Sequence, residues 1–404
     1  MRIIIDARLY GTYHRGLGRY LKGLIAELTK LDKINTYLIL INPNNPEQPA
    51  GLGDNLTLIK TPWRQYTIRE QLFLPGLIKK LKADLVHWPH INVPLLGSTP
   101  FIVTVHDLII NHFPDSRATT LPKWYYRFKL FAYKLIVKRS LQRTQKIIAV
   151  SRATAADISN YYPFTKNKIQ VIYPGLGQPA PAAVIQNLPA NYFLAVGAAY
   201  PHKNLESLLI AWSKALTALP PSKLIIVGRT DFFMERLKEF AQKLKIDQEV
   251  IFWGEASEAE LTALYQKSAG YILPSLAEGF GFGPLEALLQ GIPLAVADIP
   301  VMHEVLGEVP IYFNPRVESE ISASLVKLNT ACLLNESIIK NILNRYNWPA
   351  AARVYLKIYQ DLTSNEASTG SSSLPSPAKH GGVGRPRSSA KAEKSLTEPD
   401  SLNF

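Results

Sequence analysis

Short apolar runs of strand length alternate with amphipathic runs of helix length from one end of this chain to the other. That alternation limits the fold more than any other feature. A strand followed by a crossover helix returns to a parallel sheet, and the helices then cover both of its faces. Strands are predicted at Ile3–Ile5, Tyr37–Ile41, Leu85–His87, Phe101–Val105, Ile147–Val150 and Gln170–Ile172, with helices at Gly18–Leu31, Ile68–Leu81 and Ala153–Tyr161. From Pro174 to Pro189 four prolines interrupt the pattern. It then resumes with strands Tyr192–Val196, Leu224–Val227, Val250–Phe252, Gly270–Leu273 and Leu294–Ala297, and helices Leu205–Leu216, Phe232–Leu244, Glu258–Lys267 and Pro284–Gln290. At 404 residues the chain exceeds one ordinary core. The expected organisation is a doubly wound α/β domain over 1–174, a linker over 175–190 and a second doubly wound domain over 191–346. A last helix over 347–362 and a tail over 363–404 complete it. The tail is rich in Ser, Gly, Pro, Lys and Ala and is expected to be disordered. Open sheets bind ligands beyond the C-terminal ends of their strands, so the site is expected in the cleft between the domains.

The lone cysteine, Cys332, excludes an internal disulfide framework and argues for a reducing compartment. Lying in an apolar stretch, it reads as a core residue. No uninterrupted apolar run reaches the ~18 residues of a spanning helix. Asp6 falls where a signal peptide needs apolar residues, so Met1–Asp6 reads as a first strand. A cytoplasmic location is the expectation. The net charge of +13 is concentrated in a basic segment over 117–152: ten Lys/Arg and no Asp or Glu lie between Asp115 and Asp157. Within it, Pro122 to Arg139 interleaves aromatic and basic residues at helical spacing. An amphipathic helix of this kind fits an anionic membrane surface or a lipid phosphate, hence a peripheral place at the inner face of a membrane. It equally fits a domain helix with a solvated basic face. No nucleic-acid motif accompanies it, and nucleic acid is not an expected partner.

The chemistry concentrates in Glu278-Gly-Phe-Gly-Phe-Gly-Pro-Leu-Glu286. Strand, Gly-rich loop and helix follow one another here, and Pro284 suits a helix start because its missing N–H would be unpaired there. Loop and helix N–H groups can hold an anion, and two carboxylates accept hydrogen bonds from sugar hydroxyls. Lys203, in Tyr200-Pro-His-Lys-Asn204, is placed to neutralise a leaving diphosphate. His106-Asp107 closes a strand at the cleft end of the sheet. His87 and His90 either line the acceptor side or cap a loop, and no third metal ligand accompanies them. Gly16-Leu-Gly18-Arg19 lacks the third glycine of a dinucleotide fingerprint, which would fall at Leu21.

The run from Gly254 to Pro315, with the two-Glu segment, Gln290-Gly-Ile-Pro293, His303-Glu-Val305 and Phe313-Asn-Pro315, closely resembles glycosyltransferase family 4. These are retaining nucleotide-sugar transferases of the GT-B fold, and the resemblance extends to about Asp361. It implies that Glu286 binds the donor ribose and that Glu278 meets hydroxyls of the transferred sugar. Gly281, Phe282 and Gly283 would offer N–H groups to the sugar and diphosphate. Pro201-His-Lys-Asn204 is similar to the family's Arg-Lys-Asn motif, with His202 in place of Arg. Some members carry a base after the strand glycine; here that position is Ala198, and Arg229 is the candidate substitute. His106 corresponds to the active-site histidine. Gly16, Gly18 and Arg19 belong to a first loop that closes over donor phosphates and acceptor, with Arg19 and Asp107 on the acceptor side. The last helix would cross back onto the first domain. The resemblance implies transfer of a mannose- or glucose-type hexose from a nucleotide diphosphate sugar to a glycan or lipid-linked acceptor, in cell-surface polysaccharide synthesis, with no metal or other cofactor. The mannosyltransferase branch is nearest in appearance. A nucleotide-sugar epimerase, a phosphorylase and a non-catalytic sugar-nucleotide-binding protein of the same fold stay open as alternatives.

Overall fold

A computed structural model describes residues 1–51, 53–114, 119 and 121–369, without the side chains of Tyr13, Arg15 and 363–369. Arg117 of the basic segment and the expected tail beyond residue 369 lie outside these residues. The first half is built from β1 (Arg2–Asp6), α1 (Arg15–Leu31), β2 (Thr36–Ile41), β3 (Leu56–Lys60), α2 (Ile68–Leu81), β4 (Leu85–Trp88) and β5 (Phe101–Val105). It continues with α3 (Ile109–His112), α4 (Lys123–Arg143), β6 (Lys146–Ala149), α5 (Arg152–Tyr161) and β7 (Ile169–Val171). The second half holds β8 (Tyr192–Val196), α6 (Leu205–Ala215), β9 (Lys223–Val227), α7 (Phe232–Lys243), β10 (Val250–Gly254), α8 (Glu258–Lys267) and β11 (Gly270–Leu273). After these come α9 (Phe282–Leu289), β12 (Leu294–Ala297), α10 (Pro300–Leu306), β13 (Ile311–Phe313), α11 (Glu318–Asn329), α12 (Glu336–Leu343) and α13 (Trp348–Thr369).

The strands form two all-parallel sheets, ordered β3-β2-β1-β4-β5-β6-β7 and β10-β9-β8-β11-β12-β13. Each is doubly wound, and its order reverses beside its first strand. The crevices at these switch points open beyond Asp6 and Trp88 in one sheet and beyond Val196 and Leu273 in the other. Successive residues of β1 point to opposite faces, so Ile3 and Ile5 pack with α1 and α13 while Ile4 packs with α2, α4 and α5.

The elements that strand and helix periodicity misses have a common cause. β3 and β13 are edge strands, and β3 is largely exposed, so its sequence need not be uniformly apolar. The second domain also gains α10, α11 and α12, where no element is predicted. Cys332 is exposed, not core: α11 ends at Asn329, and the chain loops past Cys332 until the Leu334 N–H donates to the Gly291 carbonyl (3.0 Å). Helix α13 runs to Thr369, seven residues into the stretch read as tail, because a helix nucleated by packed residues propagates cheaply. Its packed part lies on α1. Trp348 meets Tyr20 edge-on at 5.5 Å between ring centres. The Tyr355 and Tyr20 hydroxyls are 2.5 Å apart, and the Tyr359 hydroxyl is 2.7 Å from His87 Nδ1. His87 Nε2 is in turn 2.8 Å from Thr104 Oγ1. His87 is therefore a satisfied core histidine; burial lowers its pKa to about 3, and it stays neutral.

Candidate active site

Gly281 fixes the entry to α9. It is the N-cap residue with φ +95, the left-handed region that glycine adopts without strain. The helix therefore starts at Phe282, two residues before the predicted start, and Pro284 occupies its third position. The first-turn N–H groups of a helix have no intrahelical partner, so a proline is tolerated there. The N–H groups of Phe282 and Gly283 lie in that first turn, directly after the loop from β11.

Glu278 precedes this entry and forms an ion pair with Lys203, Oε1 to Nζ 2.6 Å, both side chains mostly buried. Lys203 ends a 3-10 turn, Pro201–Lys203, and Asn204 beyond it is left-handed at φ +57. The Asn204 amide donates to the carbonyls of Pro274 (3.1 Å) and Pro315 (2.7 Å), and the Leu276 N–H donates to the His202 carbonyl (2.8 Å). These bonds fasten the lysine-bearing turn to the glutamate-bearing loop. His202 does not replace the arginine's charge. Burial, with Lys203 beside it, lowers its pKa to about 4, so it is neutral at pH 7. Ala198 is buried. Arg229 sits at the rim, 4.0 Å from Glu255, and the structure pairs it there.

The first domain meets this loop directly. The Gly279 carbonyl accepts from Ser151 Oγ (2.7 Å) and Thr154 Oγ1 (3.1 Å) at the start of α5. A Cβ on Gly279 would lie 1.8 Å from the His106 carbonyl oxygen, so only glycine permits this approach. His106 thus stands next to Glu278 in space. Its Nε2 donates to the Pro89 carbonyl (2.9 Å), and its ring meets Tyr20 edge-on at 4.7 Å. Burial lowers its pKa to about 4, so at pH 7 the ring is neutral and Nδ1 is its acceptor. Asp107 Oδ1 accepts from the Ile109 N–H (3.0 Å). Burial pushes its pKa up; Lys203 opposes that and Glu278 reinforces it, so these groups act on one another across the cleft.

Arg19 on α1 also reaches across and forms an ion pair with Glu286, whose other oxygen accepts from the Tyr265 hydroxyl (3.2 Å). Burial pushes the Glu286 pKa up, with Arg19 opposing. Gly16 faces the Phe282 ring: a Cβ there would lie 3.5 Å from it. Gly18 is held by close packing. It is buried, and its Cα packs so tightly on the Gly11 carbonyl that a Cβ would lie 1.8 Å from the oxygen. It shapes the loop.

Sequence reasoning passed over three groups. Glu304 accepts from the N–H groups of Arg152 (2.6 Å) and Ala153 (2.9 Å) and from the Tyr173 hydroxyl (2.9 Å), capping α5 from the other domain. Only its place in a family motif pointed to it. Tyr265, which holds Glu286, carries no sequence signal beyond a helix position. Arg8 is fully buried between Asp6 (2.7 Å) and Glu70 (2.5 Å), and His90 Nε2 is 2.9 Å from Asp6. Burial would raise the Asp6 pKa, but Arg8 outweighs it and holds the carboxyl well below the usual range. This network fixes the loop from β4 on which His106 leans. Among the described residues no group of three His, Cys, Asp or Glu is placed to hold a metal, and no helix is long and apolar enough to cross a membrane.

Two Rossmann-type sheets with their switch points facing, and carboxylates paired with cations between them, define the GT-B architecture. Comparison with known proteins agrees. Residues 14–176 match the family model described as Glycosyltransferase Family 4, and residues 182–327 match Glycosyl transferases group 1. The O-antigen chain mannosyltransferase RfbU of Salmonella typhimurium is 35% identical over 264 residues, covering 64% of this chain and 69% of that protein. Sucrose-phosphate synthase from Thermosynechococcus elongatus has the same fold, with a TM-score of 0.72 at 17% identity over 90% of this chain and 100% of that one. Anabaena Alr3699/HepE, solved with UDP and glucose, gives 0.60 at 17% identity over 91% and 100%. The chain belongs to glycosyltransferase family 4 and is a glycosyltransferase.

Proposed function

We propose that this enzyme moves a hexose, of mannose type first and glucose type second, from a nucleotide diphosphate sugar to a hydroxyl of a glycan or lipid-linked acceptor, with retention at the anomeric carbon. The acceptor belongs to cell-surface polysaccharide synthesis, and the enzyme works at the cytoplasmic face of a membrane. The observation that carries the reading is the Lys203–Glu278 pair beside His106 and Asp107, at the facing ends of two sheets. That RfbU is a mannosyltransferase supports mannose, and the UDP in the HepE structure supports a nucleotide donor.

In the step proposed, the acceptor oxygen bonds to the anomeric carbon as the bond from that carbon to the diphosphate oxygen breaks. The departing phosphate oxygen takes the acceptor's proton on the same face, which retains configuration without a protein nucleophile. Lys203 and the first-turn N–H groups of α9 meet the charge growing on the diphosphate, as preorganised donors should. Glu278 and His106 Nδ1 accept from hydroxyls of the moving sugar. Ribose hydroxyls take the place of Arg19 at Glu286, and the freed guanidinium turns to the diphosphate, supplying the cation that Ala198 and neutral His202 do not. With these cations in place the reaction needs no metal. The test is transfer from a mannosyl donor to a lipid-linked glycan in the presence of EDTA, with the product anomer read by NMR. A retained anomer with undiminished rate supports the reading; an inverted anomer or loss of turnover with EDTA contradicts it.

A further inference from the structure

Helix α4 carries two apolar stripes, and only one of them lies in the core. Val137 and Leu141 are buried against the sheet, and Tyr126 is buried as well. Trp124, Phe128, Phe131 and Leu135 are 74%, 63%, 67% and 48% exposed. Their spacing of four, three and four residues puts them on one line along the helix. At about 100° per residue that line runs roughly opposite the buried one. The outward side of α4 is therefore itself apolar at its centre, which a purely solvated basic face would not be. The same angular reckoning puts Arg127, Lys134 and Lys138 on one flank of the outer stripe and Arg139 on the other. No acidic residue lies anywhere in 116–156 to neutralise them.

The neighbouring helix extends the surface. Leu74 and Ile78 of α2 pack on the same sheet face as Val137 and Leu141 of α4, so the two helices cover that face together. Outward, α2 exposes Leu72 (59%) and Phe73 (53%), with Lys79 and Lys80 also exposed. Beside α2 an open groove of about 200 Å³, walled by the loop over 93–99 and by Arg143 at the end of α4, is floored by Val86, Trp88 and Phe101.

Apolar surface this extensive marks an interaction site. The kind of partner follows from the charge. A protein interface is depleted of charge at its core and is met by complementary side chains. Aromatic residues bordered on both flanks by exposed cations match an interfacial bilayer layer, where rings sit at headgroup depth and cations meet lipid phosphates. We infer that the outer face of α4, with α2 beside it, docks this protein onto an anionic lipid bilayer. The inference specifies the membrane contact of the proposed function, yet its readout is binding alone, so it stands or falls without turnover.

The experiment is co-sedimentation of the full chain with vesicles of phosphatidylcholine, with and without phosphatidylglycerol, at low and high salt. The protein should pellet with the anionic vesicles, remain in solution with neutral ones, and bind less at high salt. Trp124→Ser with Phe128→Ser and Phe131→Ser should lower the partition at least tenfold, as should Lys134→Glu with Lys138→Glu. These side chains are exposed, so the folded state should survive, which thermal unfolding checks; Phe131→Ser alone keeps the test open should the triple variant unfold. No pelleting of the wild type, or equal pelleting of the variants, overturns the inference. So does binding that depends on Lys134 and Lys138 but not on the rings, since a purely electrostatic patch accepts any polyanion.

Discussion

At the scale of single residues, the proposed chemistry rests on the Lys203–Glu278 ion pair and on the close approach at Gly279, and each can be tested. Lys203→Ala removes the cation beside the leaving group and should lower kcat by at least about 100-fold, with Lys203→Arg restoring only part of it. Gly279→Ala would drive a methyl group into the His106 carbonyl and part the domains at the site, so kcat should fall while the rest of the fold survives. Steady-state kinetics and circular dichroism on the two variants check both outcomes. That Lys203, Glu278, Glu286 and His106 gather where the two domains meet was legible in the sequence, from strand ends, a Gly-rich loop and a family resemblance. What sequence could not give is who faces whom. Arg19 meeting Glu286, and Arg229 turning to Glu255, depend on the folding of segments hundreds or tens of residues apart. The tight packing of Gly18 likewise has no signature distinct from a phosphate-loop glycine.

At the scale of elements, two helices join the halves, and each can be tested. Glu304 caps α5 with two charge-assisted bonds, and losing such an interaction costs about 1.5 kcal/mol or more. If that energy holds the closed arrangement, Glu304→Ala should lower kcat/KM about tenfold. Glu304→Gln, which keeps an acceptor oxygen, should recover part of it, as measured with donor varied at fixed acceptor. Helix α13 is held by Trp348, 7% exposed, and by the buried Tyr20–Tyr355 and His87–Tyr359 hydroxyl contacts. Trp348→Ala should destabilise the first domain by about 3–5 kcal/mol in denaturant unfolding. Interior strands and long helices were readable because burial on both faces demands apolar runs. Edge strands β3 and β13 were not: β3 is largely exposed, and β13 is only three residues long. Helix α4 was legible as an amphipathic helix, but its two opposite apolar stripes were not: periodicity reports that apolar residues lie on a helix, not which of them the sheet buries.

At the scale of the whole molecule, the buried histidines set an acid limit. His87 is fully buried, and its pKa is lowered from 6.5 to about 3 by burial. Between those values the unfolded chain binds a proton that the folded chain does not, so stability is complete above pH 6.5 and falls as pH drops through the window. The slope from this residue alone is about 1.4 kcal/mol per pH unit. His106 and His202 act in the same direction, and Asp6 adds to the loss below its unfolded value of 3.8. Urea unfolding from pH 7 to pH 4.5 should show the midpoint falling steadily. The two-sheet architecture that brings these residues together was legible from the βα alternation, because right-handed crossovers leave few topologies for it. The most direct test of the account is the release of nucleoside diphosphate from a panel of nucleotide sugars, with and without a glycan acceptor. The account predicts one donor turned over well above the rest, mannosyl before glucosyl, with that turnover lost in both Glu278→Ala and Lys203→Ala. Tight donor binding with no release under any acceptor, or release that survives both substitutions, would contradict it.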